Sequence, residues 1–237
     1  MKVEDIKNSE QAIALEDQHG AHNYHPLPVV LQKGKGVFVW DVEGKKYYDF
    51  LSAYSAINQG HCHPRIVNAM TKQAETITLT SRAFHNNILG VFEKYATEYF
   101  DFDKLLPMNS GAEATAIKIA RKWAYEKKGI PEAEAQIVVF ENNFHGRTTT
   151  IISFSNDEGA RKNFGPYTPG FIKVAYDDTH SLEEVLKENK NIAGVLVEPI
   201  QGEAGVYTPA DDFIPKVKEL CNEHKVLFMA DEIQTGI

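Results

Sequence analysis

The chain has little cysteine: two in 237 residues, Cys62 and Cys221, far apart and in no recognisable framework. That excludes a disulfide scaffold and suits a reducing cytoplasm. Basic charge is also in deficit, with 25 Lys and Arg against 33 Asp and Glu and a formal net charge of -8. Such a balance gives no footprint for nucleic acid or for an anionic membrane surface. No apolar run is long enough to span a bilayer. The acidic start Met1-Lys2-Val3-Glu4-Asp5 lacks both the apolar core of a secretion signal and the arginines of a transit peptide. Internal repeats, low-complexity tracts and linker-like shifts in composition are missing as well. What remains, 43% hydrophobic and 24% charged, is the composition of a globular protein with a sizeable core.

Residues up to about Gln18 read as a mostly polar helix ended by His19-Gly20, before an aromatic and imidazole-rich loop from Gly20 to Pro28. Val37–Trp40 and Lys46–Leu51, joined through Glu43-Gly44, predict a β-hairpin. His61-Cys62-His63 offers three potential metal ligands. Consecutive residues cannot all face one ion without a sharp turn, and no fourth ligand has the usual spacing, so the expectation is a packed loop and no metal. Pro64 then opens a helix. From Leu105 onward strand and helix patterns alternate. The strand candidates are Leu105–Met108, Ile137–Phe140, Phe171–Ala175, Ala193–Val197 and Val226–Met229. Helices include one opened by a capping box at Ser181-Leu182-Glu183-Glu184, and another from Asp211 to His224. This alternation predicts an α/β fold, a mainly parallel sheet with helices on both faces.

In such sheets, ligand chemistry gathers where strands end. Asn109-Ser110-Gly111-Ala112-Glu113-Ala114 opens a helix with small residues, which suits a phosphate at the helix N-terminus; many strand-to-helix turns look alike. Phe144-His145-Gly146-Arg147 sets a ring and a guanidinium on one loop, either to stack a planar group and clamp a carboxylate or as an aromatic plug with a surface arginine. Glu198-Pro199-Ile200-Gln201-Gly202-Glu203 presents two acids, for a ligand or for solvent. Asp231, after the apolar run Val226–Met229, either caps a following helix or is a buried carboxylate that needs a cation opposite it. Taken together, these strand ends suit a planar, phosphorylated, cationic heterocycle. Pyridoxal phosphate fits, because its electron-sink chemistry needs an acid beside the ring nitrogen.

The motifs Ser110-Gly111-Ala112-Glu113-Ala114, Phe144-His145-Gly146-Arg147, Glu198-Pro199-Ile200-Gln201-Gly202-Glu203 and Asp231-Glu232-Ile233-Gln234-Thr235-Gly236 resemble those of the class-III pyridoxal-phosphate-dependent aminotransferases. The resemblance runs from about Gly20 to Ile237 and covers roughly the first half of such proteins. Gly20-Ala21-His22-Asn23-Tyr24-His25-Pro26, Asn58-Gln59-Gly60-His61-Cys62-His63-Pro64 and Ser81-Arg82-Ala83-Phe84 are closer to the ornithine branch than to the acetylornithine or GABA branches. It implies a fold-type-I transferase, cut before the end of its large domain, with residues 1–55 in a small domain and 56–237 in the large one. It implies transfer of the δ-amino group of L-ornithine to 2-oxoglutarate by a cytoplasmic homodimer. The alternatives are another ω-amino acid substrate such as acetylornithine, or a fragment without activity. Ser110, Gly111 and Ala112 would hold the phosphate, Phe144 would stack on the ring, Asp231 would pair with the ring nitrogen and Gln234 with the ring hydroxyl. Tyr24 and Arg147 would receive substrate carboxylates, with Tyr54 and Glu198 lining the pocket and Glu203 pairing with a later arginine.

Two departures stand out. The lysine that carries the cofactor in the family would follow Ile237. Family members also have two more residues between Ala114 and Thr115, and losing two residues turns the rest of a helix by roughly 200°. Either the loop absorbs this locally, or Ile117, Ile119 and Trp123 do not all keep the family packing.

Overall fold

Two hydrophobic periodicities build two separate sheets in this computed structural model, which describes residues 3–108 and 112–236. The chain divides into compact units Met1–Leu105 and Leu106–Ile237.

In the first unit, helix α1 (Ser9–His19) starts where the Asn8 side chain accepts the Gln11 N–H, an ordinary N-cap. Strands β1 (Leu31–Lys35), β2 (Phe38–Asp41) and β3 (Lys46–Tyr48) form an antiparallel sheet in that order. The expected hairpin is β2–β3. Its second arm stops at Tyr48 and not at Leu51, because the Asp49 carboxylate turns the chain by accepting the Leu51 and Ser52 N–H groups. β1 has no sequence signature: Leu31-Gln32-Lys33-Gly34-Lys35 is mostly polar and lies at an exposed edge.

His61 is a packing residue. Its backbone pairs with Gly36, its Nε2 lies 2.7 Å from Asp49 Oδ2, and a Cβ on Gly34 would fall 2.6 Å from its ring. Only glycine fits there. Among the described residues no group of three or more His, Cys, Asp or Glu side chains could hold a metal ion. Pro64 opens α2 (Pro64–Thr76), and α3 (Leu89–Phe100) follows. His61 ties the chain beyond residue 56 back to the sheet, within the compact unit that runs to Leu105.

The second unit is a four-stranded parallel sheet: β4 (Gln136–Phe140), β5 (Phe171–Val174), β6 (Ile192–Val197) and β7 (Leu227–Ala230), in the order β5-β4-β6-β7. Between and before them run α4 (Ala112–Trp123), α5 (Glu158–Arg161), α6 (Thr179–Glu188) and α7 (Phe213–Glu223). Three expectations are corrected. Leu105–Met108 forms no strand. The last strand is displaced to Leu227–Ala230 and lies at an edge with one neighbour, so it is only half-buried. α6 is capped by Asp178, which accepts the His180 and Ser181 N–H groups, and Ser181 donates its hydroxyl to the same carboxylate instead of acting as the cap.

Alternate residues of the strands bury into opposite cores, as a sheet covered on both sides requires. Val138, Phe140, Val195 and Val197 face Leu182, Leu186, Phe213, Val217 and Leu220 of α6 and α7. Ile137, Val139, Ala193 and Leu196 face Ile117 and Ala120 of α4, with Ala124 beyond it. Ile117 is buried and Trp123 packs against this second core, while Ile119 is 53% exposed. Of the three side chains in question, Ile119 alone is turned to solvent. No helix among the described residues is long and apolar enough to cross a membrane.

Candidate active site

The sheet order reverses between β4 and β6. The chain leaves β4 towards β5 on one side and leaves β6 towards β7 on the other. Divergent loops at such a switch point open a crevice at the carboxyl ends of the strands. Just past β4 at this end come Asn143, Phe144 and His145, and just past β6 comes Glu198.

Asp231 directly follows β7, and its N–H donates to Val197 O at 2.8 Å, extending the ladder by one step and fixing the carboxylate in register. Oδ2 lies 2.7 Å from His145 Nδ1, and Oδ1 accepts the Ile233 N–H at 3.2 Å. The two side chains are only 1% (His145) and 6% (Asp231) exposed. The partner of the buried acid within the chain is therefore an imidazole, for which sequence reasoning had named no role. His145 Nε2 has no hydrogen-bond partner among the described residues. Gly146 has φ +102°, a left-handed conformation that side chains resist, and the chain reverses there so that Arg147 lies over the Phe144 ring at 5.9 Å.

Glu198 is buried, and its Oε2 accepts the Phe144 N–H at 3.0 Å, so this acid sets the position of the aromatic ring through the backbone. The phenol of Tyr176 donates to both Glu198 O and Pro199 O at 3.0 Å, and burial pushes its own pKa up to about 12. Burial also raises the Glu198 carboxyl above the usual glutamate range, against the pull of the Phe144 N–H and of His145. An acid whose folded-state pKa is raised stabilises the fold fully below its unfolded pKa, and that contribution is lost as pH rises through the folded value. Urea unfolding over a series of pH values should therefore show the parent losing stability relative to Glu198→Gln above about pH 4.5, since glutamine keeps an acceptor for Phe144 and cannot ionise. Measured against Glu198→Gln, Glu198→Leu should cost about 1–3 kcal/mol at every pH by leaving that N–H unpaired. Parallel pH profiles for parent and Glu198→Gln would show that this carboxyl is not perturbed by burial.

In the first unit the Tyr24 and Tyr54 hydroxyls meet at 3.1 Å, both rings about half exposed. Tyr54 sits in a run from Ser52 to Ser55 with φ between 47° and 71°. Each non-glycine residue held so costs roughly 1–2 kcal/mol. The turn survives because Asp49 and the Ile57 N–H to Ser52 O bond brace it, and strain of this kind gathers at functional sites.

The structure thus brings Phe144, Arg147, Glu198 and Asp231 to neighbouring strand ends, and pairs Tyr24 with Tyr54. Gln234 lies against the loop after β6, where a Cβ on Gly202 would meet it at 3.7 Å, and Glu203 on that loop is exposed. Ser110 and Gly111 lie outside the described residues, and Ala112 is the first residue of α4. His145 and Tyr176 join these residues by hydrogen bonds that the sequence did not indicate. The first stands inside a recognised motif, but its role needs β7 alongside; the second acts through carbonyls and has no sequence signal.

A family model described as Aminotransferase class-III matches residues 19–237. The mitochondrial ornithine aminotransferase of Drosophila ananassae is 57% identical over 231 residues, which are 97% of this chain and 53% of that protein. The ornithine aminotransferase structure from Toxoplasma gondii, which has partial occupancy of PLP at its active site, superposes with a TM-score of 0.94 at 49% identity, over 97% of this chain and 54% of the other. The acetylornithine aminotransferase structure from Elizabethkingia anophelis reaches 0.85 at 65% identity, over 98% and 57%. The chain spans about half the length of these relatives. With the family model covering nearly all of it and the buried acid at the predicted strand end, the chain belongs to the class-III aminotransferases.

Proposed function

We propose that these residues are the N-terminal half of a pyridoxal-phosphate-dependent ornithine aminotransferase, which passes the δ-amino group of L-ornithine to 2-oxoglutarate and yields glutamate 5-semialdehyde and glutamate. The observation that carries this is the buried Asp231 carboxylate, locked by His145 at a strand end beside the switch-point crevice. A fixed anion in that setting suits a protonated ring nitrogen. When bound, the cofactor supplies an electron sink to the carbon that bears the amine. The residues of this chain would hold it: Asp231 would keep the ring nitrogen protonated, the half-buried Phe144 would stack on the ring, Gln234 would pair with the ring hydroxyl, and Ser110, Gly111 and Ala112 would take the phosphate. Arg147 is exposed and oriented over Phe144, which suits a substrate carboxylate. Tyr24 and Tyr54 would offer hydroxyls to a substrate carboxylate, and Glu203 an acid for a later arginine. The lysine that carries the cofactor is expected in the C-terminal part of the longer protein.

The stripes of exposed apolar residues on α2 and α3, among them Met70, Val91, Tyr95 and Tyr99, support a homodimer. The free cysteines support a reducing compartment, for which we assign the cytoplasm.

A second substrate is favoured by one specific observation, the 65% identity to a structure named for acetylornithine. Steady-state kinetics on a full-length protein carrying this sequence separates the two. Ornithine should exceed N-acetylornithine in kcat/KM by at least about 10², because a site that pairs a charged amine rejects its acylated form. A reversed ratio would assign the acetylated substrate.

A further inference from the structure

A cavity of about 340 Å³ opens at the amino-terminal end of the parallel sheet, away from the strand ends that carry Phe144 and Asp231. Asn191, just before β6, and Val226, just before β7, line it. Its apolar wall is Ile130, Leu186 and Val226, all buried. The charged residues that line it are of one sign, Lys128 and Lys190, with His224 beside them and no acid in the lining.

Lys128 closes the π-helical turn Ala124–Lys128 that continues α4. Such turns are rare and concentrate at functional sites. Its Nζ donates to Ile192 O at 2.7 Å, which pins a half-buried ammonium and leaves it further protons to donate. Burial, and then the charge of Lys190, lower the Lys128 pKa, the sign of a cation without a counter-charge. The rim is already set. Asn189 donates its amide to Gln136 and accepts the Asn191 N–H at 2.9 Å, while Asn191 donates to Glu134 at 2.9 Å. A partly buried cation is costly until an anion or further hydrogen bonds complete it. Two ammonium groups at one cavity favour a dianion over a monoanion, and the apolar wall favours a ligand with a small hydrophobic body.

We propose that this cavity is a ligand site separate from the transamination site, taking a small phosphate monoester whose dianionic head meets Lys128 and Lys190 and whose apolar body lies on Ile130, Leu186 and Val226. The assignment does not depend on which amine the enzyme transfers. Calorimetric titration of phenyl phosphate into the cofactor-loaded full-length protein tests it, because the cofactor then fills its own phosphate cradle. Saturable binding is expected, weakened about tenfold or more by Lys128→Met, as for a lost charge-assisted hydrogen bond. The exposed Lys190→Met should weaken it about two- to fivefold, the range of a solvent-screened charge, with no effect on folding. Lys128→Arg should retain most of the affinity. Benzoate, a monoanion, and inorganic phosphate, which lacks the apolar body, should both bind less tightly than phenyl phosphate. An affinity unchanged in both methionine variants, or the absence of saturable binding by the parent protein, would overturn the proposal.

Discussion

Asp231→Asn in the full-length protein is expected to lower kcat/KM on the order of 10³-fold, the loss seen when one preorganised electrostatic partner is removed from an enclosed site. The substitution changes little else. Asparagine has the same shape, its one oxygen can accept the His145 Nδ1–H while the longer bond from the Ile233 N–H is given up, and its backbone still donates to Val197 O, so the fold should persist with only a modestly lowered unfolding midpoint. What disappears is the negative charge that, under the proposed function, would keep a ring nitrogen protonated and sustain its role as electron sink. Two readouts are needed together: turnover, and the visible absorbance of bound cofactor followed through dialysis. A large fall in rate with cofactor retained would assign Asp231 to the chemistry. A fall of less than about tenfold with the fold intact would remove it from that role, since charge pairs of this kind carry several kcal/mol of transition-state stabilisation. His145→Gln tests the support separately. It leaves the charge and loosens its orientation, so its effect on rate should be clearly smaller.

The parallel sheet was legible because its strands are unbroken apolar runs bounded by polar turns, as in Ile192–Val197, where every residue is buried. Asp231, Glu198 and Phe144 were legible for a related reason, since each stands directly after or close to such a run. β1 was not, because an edge strand needs no apolar face, and Leu31–Lys35 is mostly exposed. The first cap of α6 was misplaced by one turn because Asp178 and Ser181 both have capping side chains, and only the geometry shows that one accepts from the other. His145 and Tyr176 were invisible for a deeper reason. Each acts on a residue far away in sequence, Asp231 and Glu198, so its role exists only once the strand order sets β7 and β6 beside it.

Phe213→Ala is expected to cost about 3–5 kcal/mol of stability, the range for removing a buried aromatic ring. Against a total of roughly 5–15 kcal/mol for a domain, that is a large share. Phe213 is 1% exposed at the start of α7, with its ring 5.4 Å from Phe140 of β4 and 5.2 Å from Tyr176 after β5. It thus fills the junction of a helix and two strands, a site that cannot collapse without moving all three. Its loss should also reach the candidate site, because Tyr176 leans on this ring while its hydroxyl holds the Glu198 and Pro199 carbonyls. Tyr176→Phe separates the two effects. It keeps the packing and deletes one hydroxyl proton shared between two carbonyls, at roughly 0.5–1.5 kcal/mol in all. Urea unfolding of both variants gives the stability terms, and kcat/KM at a temperature where both are folded gives the functional one. If Phe213→Ala lowers the rate and Tyr176→Phe does so with much less loss of stability, the link from core to Glu198 runs through the phenol. If Tyr176→Phe leaves the rate unchanged, the core supports the fold without setting the geometry of the site.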